Sequence, residues 1–416
     1  MTMDGKGRVL VVWKRNGRSL KHILASRYDP EQGWIGPSQV YFGEERASSP
    51  KVAAGDSGQA LVVWHQEKSR GGSELWAREY DPSNDWGKPY RIGNANPYAP
   101  ETADAVIDKT GNGLIVWLEK GGLRCRLIHL GSPIPTENDC QDRYADHPAA
   151  AVNNGHAVVV WRTAGDEDYV ITAQRYVPGT GWMGQEPIAA GPLWEKGSGG
   201  EPIPVVDQHG NVTVLWVGGV HLYATRYDKA SDSWSNVASI NDPKLEDVSG
   251  VTAVVDDVGT VTAAWTQLVS PKGYGNSIWL SEYAPKGWTV PVSLPTEGGH
   301  SINPAITSAR AGSGTVVWLE SHKNRVSVWA THYDKLGAWA PPKRIGGTTI
   351  DFVKPKIVED KEGRAVAIWP IRVKPENPEN VRLCVNIKNR RRVDGAIYKL
   401  ELQEDSCQNP LQHGYR

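Results

Sequence analysis

The chain has 416 residues, a net charge of −1, and 18 Trp against only 2 Phe. A near-neutral balance argues against duplex nucleic acid or an anionic membrane as the partner. No run approaches the roughly 18 apolar residues of a membrane span. Length alone would allow two or three domains. An unbroken repeat argues instead for one domain over 1–416, with a disordered tail at 408–416.

Residues 1–7 read as the end of an apolar strand and its turn, like Val205-Val206-Asp207-Gln208-His209-Gly210. The chain is therefore expected to open inside a repeat. The clearest copy runs from Gln59 to Pro89. Ala60-Leu61-Val62-Val63-Trp64 is apolar on both faces and rich in β-branched residues, which suits a strand covered on both sides. Leu75 to Tyr80 alternates apolar and polar, the pattern of a half-exposed strand. Asp81-Pro82 ends it, because Pro has no N–H to give the ladder. Pro50-Lys51-Val52-Ala53 precedes the apolar run through an Asp56-Ser57-Gly58 turn, and a short strand follows Trp86-Gly87. Each repeat thus holds four strands.

The Val-Val-Trp position recurs at Trp13, Trp64, Trp117, Trp161, Trp216, Trp265, Trp318 and Trp369, 44 to 55 residues apart. Four short strands at a period near 50 are what a propeller blade requires. The expected fold is all-β, a β-propeller of eight four-stranded blades, with seven blades and a terminal extension as the alternative. Eight Trp end the apolar strand and are expected to be core. Six more follow the Tyr-Asp turn, and Trp76, Trp279 and Trp329 lie on the alternating strand. Trp194 alone falls outside the repeat, in the Gly- and Pro-flanked insertion Ala190 to Glu201.

Repeats three and eight lack the Tyr-Asp and Gly-Trp pair, and these two hold all four cysteines: Cys125 and Cys140, Cys384 and Cys407. Disulfides Cys125–Cys140 and Cys384–Cys407 are expected to take over the aromatic fastening. Four buried thiols are the alternative, and neither pair has the spacing of a zinc site. Disulfides imply an oxidising compartment: periplasm, cell surface or medium.

No nucleophile elbow, zinc-protease motif, phosphate loop or EF-hand occurs, and no cofactor or metal is implied. Asp207, Asp256-Asp257 and Glu359-Asp360 sit where hairpin turns call for Asp and Gly. Lys388-Asn389-Arg390-Arg391-Arg392 reads as a solvated basic loop.

Gly-x-Ala-x-Val-Val-Trp, then Arg-Tyr-Asp-Pro and Gly-Trp, resembles the repeats of bacterial surface and secreted propellers. It is also broadly similar to propeller lectins, which implies aromatic rings between blades that stack on sugars. The Ser-x-Asp-x-Gly-x-Thr-Trp boxes of sialidase-like propellers and the Trp-Asp of WD repeats are absent. The expected function is a non-catalytic extracytoplasmic binding propeller for a glycan or a protein. Its candidate ligand residues are Trp76 with Glu79, Tyr223 with Arg226, Trp279 with Glu282, Trp329 with His332, and the loop Trp194, Glu195 and Lys196. Packing against the next blade is the competing role for the strand residues. The alternative is a polysaccharide lyase or glycosidase, which needs an acid/base pair drawn from Glu195, His147 and His300.

Overall fold

A computed structural model of the chain describes residues 1–16, 21–69, 71–99, 102–133, 140–164, 168–192, 200–245, 247–269, 275–284, 287–296, 299–308, 313–323, 325–333, 339–346, 353–360, 362–372, 381–389 and 401–402. Among these no helix is long and apolar enough to cross a membrane. The described residues form antiparallel sheets in which sequential strands are neighbours.

Blade 1 comprises β1 (Thr2–Met3), β2 (Val9–Asn16), β3 (Lys21–Asp29) and β4 (Gly33–Gly43). Blade 2 has β5 (Arg46–Ala54), β6 (Ala60–Glu67), β7 (Ser73–Asp81), β8 (Asp85–Trp86) and β9 (Tyr90–Asn94). Blade 3 has β10 (Asp104–Ile107), β11 (Asn112–Glu119), β12 (Gly122–His129) and β13 (Cys140–Asp142). Blade 4 has β14 (Ala145–Asn153), β15 (His156–Ala164), β16 (Asp168–Val177) and β17 (Gly181–Pro192). Blade 5 has β18 (Ile203–Val206), β19 (Val212–Gly218), β20 (His221–Asp228), β21 (Ser233–Trp234) and β22 (Ala238–Ser239). Blade 6 has β23 (Ser249–Val255), β24 (Val261–Leu268), β25 (Asn276–Ala284), β26 (Gly287–Trp288) and β27 (Val292–Ser293). Blade 7 has β28 (His300–Ser308), β29 (Gly314–His322), β30 (Arg325–Tyr333) and β31 (Lys343–Gly346). A terminal sheet follows: β32 (Lys356–Glu359), β33 (Ala365–Arg372), β34 (Val381–Asn389) and β35 (Glu401–Leu402).

The fold is thus all-β, a seven-bladed propeller of four-stranded blades, and the expected count of eight is corrected to seven. The eighth repeat is the terminal sheet. Its outer strand is a two-residue pairing, Glu401 and Leu402 against Asn389 and Lys388, and its sequence lacks the Tyr-Asp and Gly-Trp ending of a regular blade. Two compact units are present: Met1–Gly219 with Ala224–Val237, and Val220–Tyr223 with Ala238–Arg416.

Packing follows one rule within each unit. The tryptophan of a second strand sits on the blade before it. Trp117 joins Leu61, Val63, Leu75 and Ala77 of blade 2 in one cluster, and Trp161 joins Leu114, Val116, Leu123 and Cys125 of blade 3. In the second unit Trp318 packs with Ala264, Ile278 and Leu280 of blade 6, and Trp369 with Val317, Leu319 and Val328 of blade 7. This is why the second strand is apolar on both faces. Gly93 in β9 leaves room for the ring, since a Cβ there would lie 3.2 Å from Trp117. Seven of the eight tryptophans are buried as expected. Trp13 is the exception, only partly buried.

The Asp-Gly turns between first and second strands are self-sufficient. Asp108 Oδ1 accepts the N–H groups of Thr110 and Asn112 at 2.9 and 3.0 Å, and Asp207 and Asp360 repeat the arrangement. A second recurring device opens the first strand. The ladder slips at Ser48/Lys51, Asp146/Ala149 and Ile302/Ala305, with Ser49, His147 and Asn303 in the left-handed region just before a proline. These are β-bulges.

Candidate interblade site

At the end of each third strand a tyrosine meets the tryptophan of the short strand that follows. Tyr28–Trp34, Tyr80–Trp86, Tyr176–Trp182, Tyr227–Trp234, Tyr283–Trp288 and Tyr333–Trp339 stand 4.5 to 5.6 Å apart. Blade 3 differs. By register, Ile128 opposite Gly113 holds the place that Tyr80 holds opposite Ala60. The fourth strand is fastened three residues earlier, where Cys125 faces Cys140. That disulfide is formed, with Cα atoms 5.3 Å apart. The cysteine reading of repeat three is thereby established. The Cys384 side chain and Cys407 lie outside the described residues.

Beside this departure a cavity of about 480 Å³ opens between blades 3 and 4. Leu127, Val152, Pro133 and Pro178 supply apolar walls, Tyr176 an aromatic surface, and Asn112, His129, Ser132 and Asn154 a polar rim. Among the described lining residues none is Asp, Glu, Lys or Arg. The rim is preorganised. Asn112 Nδ2 donates to Thr110 Oγ1 at 2.7 Å, so Asn112 Oδ1 accepts from His129 Nδ1 at 3.0 Å. The Tyr176 hydroxyl has no partner among the described residues, a free polar tip on an apolar ring.

The same position in the other blades of the first unit carries a charged side chain. Three residues beyond the partner of the core tryptophan stand Arg27, Glu79, Leu127 and Arg175 in blades 1 to 4. Arg175 lies 3.5 Å over the Tyr227 ring and pairs with Glu186 at 2.9 Å, which closes that interface. Glu79 accepts from the Tyr90 hydroxyl at 3.2 Å and from the Gly131 N–H at 3.3 Å. Leu127 has no charged group to extend over Tyr176, so the space stays open.

This register also separates the members of each paired ligand candidate. Residues three apart on a strand point to opposite faces. Trp76 packs toward blade 1 with Tyr80, while Glu79 reaches Gly131 of blade 3. Trp279 with Glu282, Trp329 with His332, and Tyr223 with Arg226 are separated in the same way. Arg226 is committed to buried Asp207 at 3.1 Å and to Thr213 at 2.8 Å. Burial, with Asp256 nearby, pushes the Glu282 carboxyl above the usual range, and Trp329 is core. His332 approaches Thr315 Oγ1 at 3.3 Å. Trp194, Glu195 and Lys196 lie outside the described residues.

Of the acid/base candidates, His147 belongs to a charged cluster. Asp146 takes two bonds of 2.8 Å from Arg162, and His147 Nδ1 stands 3.3 Å from Asp146 and 3.1 Å from Arg162. Burial raises the Asp146 pKa, but His147 and Arg162 outweigh it and hold the group below the carboxylate norm. The left-handed backbone of His147 is no mark of function, because Ser49 and Asn303 share it. His300 is exposed at the start of β28.

No protein-family model matches the chain. No curated protein matches it either. The fold has counterparts among solved structures. The BP39L lectin from Burkholderia pseudomallei aligns at a TM-score of 0.55 and 13% identity, over 82% of this chain and 95% of that one. The polysaccharide lyase Uly1 aligns at 0.50 and 9%, over 86% and 93%. At such identities the likeness is one of fold alone.

Proposed function

We propose that the chain is a non-catalytic, extracytoplasmic carbohydrate-binding protein that takes an uncharged sugar in the groove between blades 3 and 4. The observation that carries this reading is the pairing of an open, apolar, tyrosine-floored cavity with a rim of neutral hydrogen-bonding groups. A pyranose offers the complement, an apolar C–H face edged by hydroxyls, and sites of this volume are typical of small ligands. The shared fold of a lectin supports the class, and the Cys125–Cys140 disulfide supports the compartment.

Glycan-array screening followed by calorimetry on hits tests the proposal. Leu127→Arg should place a guanidinium over Tyr176, as Arg27 lies over Tyr80, narrowing the groove, and should weaken a neutral hit at least tenfold, about 1.4 kcal/mol. His129→Ala should weaken it less, with the thermal midpoint unchanged. An array blank for neutral sugars, or hits indifferent to both changes, sinks the reading. A polysaccharide lyase or glycosidase is the second reading, favoured by the Asp146–His147–Arg162 cluster and by the fold shared with a lyase. Release of new reducing ends from a bound polysaccharide, abolished by His147→Ala, would establish it instead.

A further inference from the structure

The groove between blades 1 and 2 occupies the same place in its pair of blades as the groove between blades 3 and 4 in theirs. Val9 corresponds to Gly113, Arg27 to Leu127, Tyr28 to Ile128, Ala54 to Val152, Tyr80 to Tyr176 and Pro82 to Pro178. Its volume is about 230 Å³. The chemistry differs at one decisive point, the guanidinium of Arg27.

Charge accounting sets that guanidinium apart. Four charged side chains line the groove: Asp4, Arg8, Arg27 and Asp29. Asp4 and Arg8 neutralise each other at 2.6 Å, and Arg8 also donates to the Ser57 carbonyl. Asp29 keeps its charge but turns Oδ1 into its own turn, accepting the N–H groups of Glu31 and Gln32 at 2.8 and 3.2 Å, and makes no ion pair with Arg27 among the described residues. Arg27 lies 4.9 Å over the Tyr80 ring and donates Nη1 to the Tyr80 hydroxyl. It forms no ion pair among the described residues, and its Nε and Nη2 edge is uncommitted. The contrast is Arg175, the same position in blade 4, which meets its tyrosine but is satisfied by Glu186. Arg27 has the stacking partner without the carboxylate.

We propose that this groove is a second saccharide site, and that it takes an acidic sugar whose carboxylate or sulfate supplies the missing anion to Arg27. The planar guanidinium edge receives such a group through two parallel hydrogen bonds. Val9, Leu10, Ile35 and Pro82 provide an apolar wall for the sugar ring. The inference rests on the reading of the chain as a carbohydrate-binding protein, but not on occupation of the blade 3/4 groove.

Methyl glucuronide and methyl glucoside differ at a single carbon, and titration calorimetry with the two separates the sites. Binding of the glucuronide should fall at least tenfold in Arg27→Gln, fall less in Arg27→Lys, and weaken as salt is raised. It should survive Leu127→Arg. Glucoside binding, where present, should ignore Arg27→Gln. Matching thermal midpoints for the two Arg27 variants guard against a folding defect. A glucuronide that binds Arg27→Gln unchanged overturns the proposal, as does one lost in Leu127→Arg, because either places the acid elsewhere. Failure to bind glucuronide while a neutral sugar binds the blade 3/4 groove overturns the second site alone. Failure of every glycan overturns the carbohydrate reading with it.

Discussion

Blades 2 and 3 share a backbone plan and differ in how the fourth strand is held. Blade 2 uses Tyr80 against Trp86, 5.2 Å apart, with Trp86 Nε1 also donating to Ser38 of blade 1 at 3.1 Å. Blade 3 uses Cys125 against Cys140, at the register step where blade 2 pairs Ala77 with Tyr90. An aromatic pair fastens and fills at once, whereas a disulfide fastens and fills nothing. The ladder of β12 with the fourth strand runs from Leu123 to Cys125. Beyond it, Leu127 and His129 line the blade 3/4 cavity. The fastening chosen in one blade therefore bears on how wide the cavity beside it is, about 480 Å³ beside blade 3 and about 230 Å³ beside blade 1.

The largest effect expected is common to both blades and marks the baseline for the comparison. Trp64 and Trp117 are 0% and 1% exposed, each packed on the preceding blade. Truncation of either to Ala should cost about 3–5 kcal/mol, as for other large buried aromatics. Reversible denaturant unfolding measures it. A loss below about 1 kcal/mol, outside that range, would mean the second strand is not the core element described.

Next comes the fastening of blade 3. The disulfide closes a 15-residue separation, worth roughly 3 kcal/mol in the chain-entropy treatment. The double change Cys125→Ser with Cys140→Ser should lower stability by about that amount. It should also loosen the walls of the cavity, seen as faster hydrogen exchange at Leu127 and Ile128. Unchanged stability would show that blade 3 is held by its core alone.

The aromatic fastening of blade 2 should be smaller when isolated as a coupling. A double-mutant cycle on Tyr80→Leu and Trp86→Leu should give an interaction of about 0.5–1.5 kcal/mol. Coupling near zero would make the recurring tyrosine and tryptophan independent space-fillers. The cycle also tests whether the disulfide is the stronger device.

Much of this architecture was legible in the sequence, for a physical reason. A second strand sandwiched between blades must be apolar on both faces, so Val-Val-Trp announces itself at every repeat. The departure of blade 3 was equally visible, since Gly121 to Leu127 runs on without Tyr-Asp or Gly-Trp. What could not be read was its consequence. That Leu127 lies in the column of Arg27 and Arg175 depends on ladder register, and that Tyr176 is left uncovered depends on the blade next door. The candidate pairs are split by parity. Trp76 and Glu79 are close in sequence but lie on opposite faces of one strand. The blade count was misjudged because a Val-Val-Trp strand occurs in the terminal sheet as well, where the rest of the repeat has diverged.

The smallest effect expected separates the two blades by pH. One residue past the core tryptophan, blade 3 carries buried Leu118 and blade 2 carries His65, 2% exposed. His65 lies across the ladder from Ser48 and Leu75, with Glu67 two residues on. Burial disfavours the imidazolium and lowers the pKa, and this outweighs the favourable pull of the Asn96 backbone and Glu67. The sign follows directly. Between the usual histidine value of about 6.5 and the lower folded value, the unfolded chain binds a proton that the native state refuses. Stability is then complete above that usual value and is lost progressively as pH falls below it. The Asp146 carboxyl, also held low, contributes a loss of the same sign, but only once pH falls toward the carboxylate range. Denaturation midpoints taken from pH 8 down to about 5, a span bracketing the histidine window, should fall in the wild type. His65→Leu, which copies blade 3, should reduce that slope, leaving the share of His156, whose pKa burial and Lys229 also lower, while the decline at more acid pH persists. An identical slope in the variant would assign the titration to another histidine and leave His65 protonated at no cost to the fold.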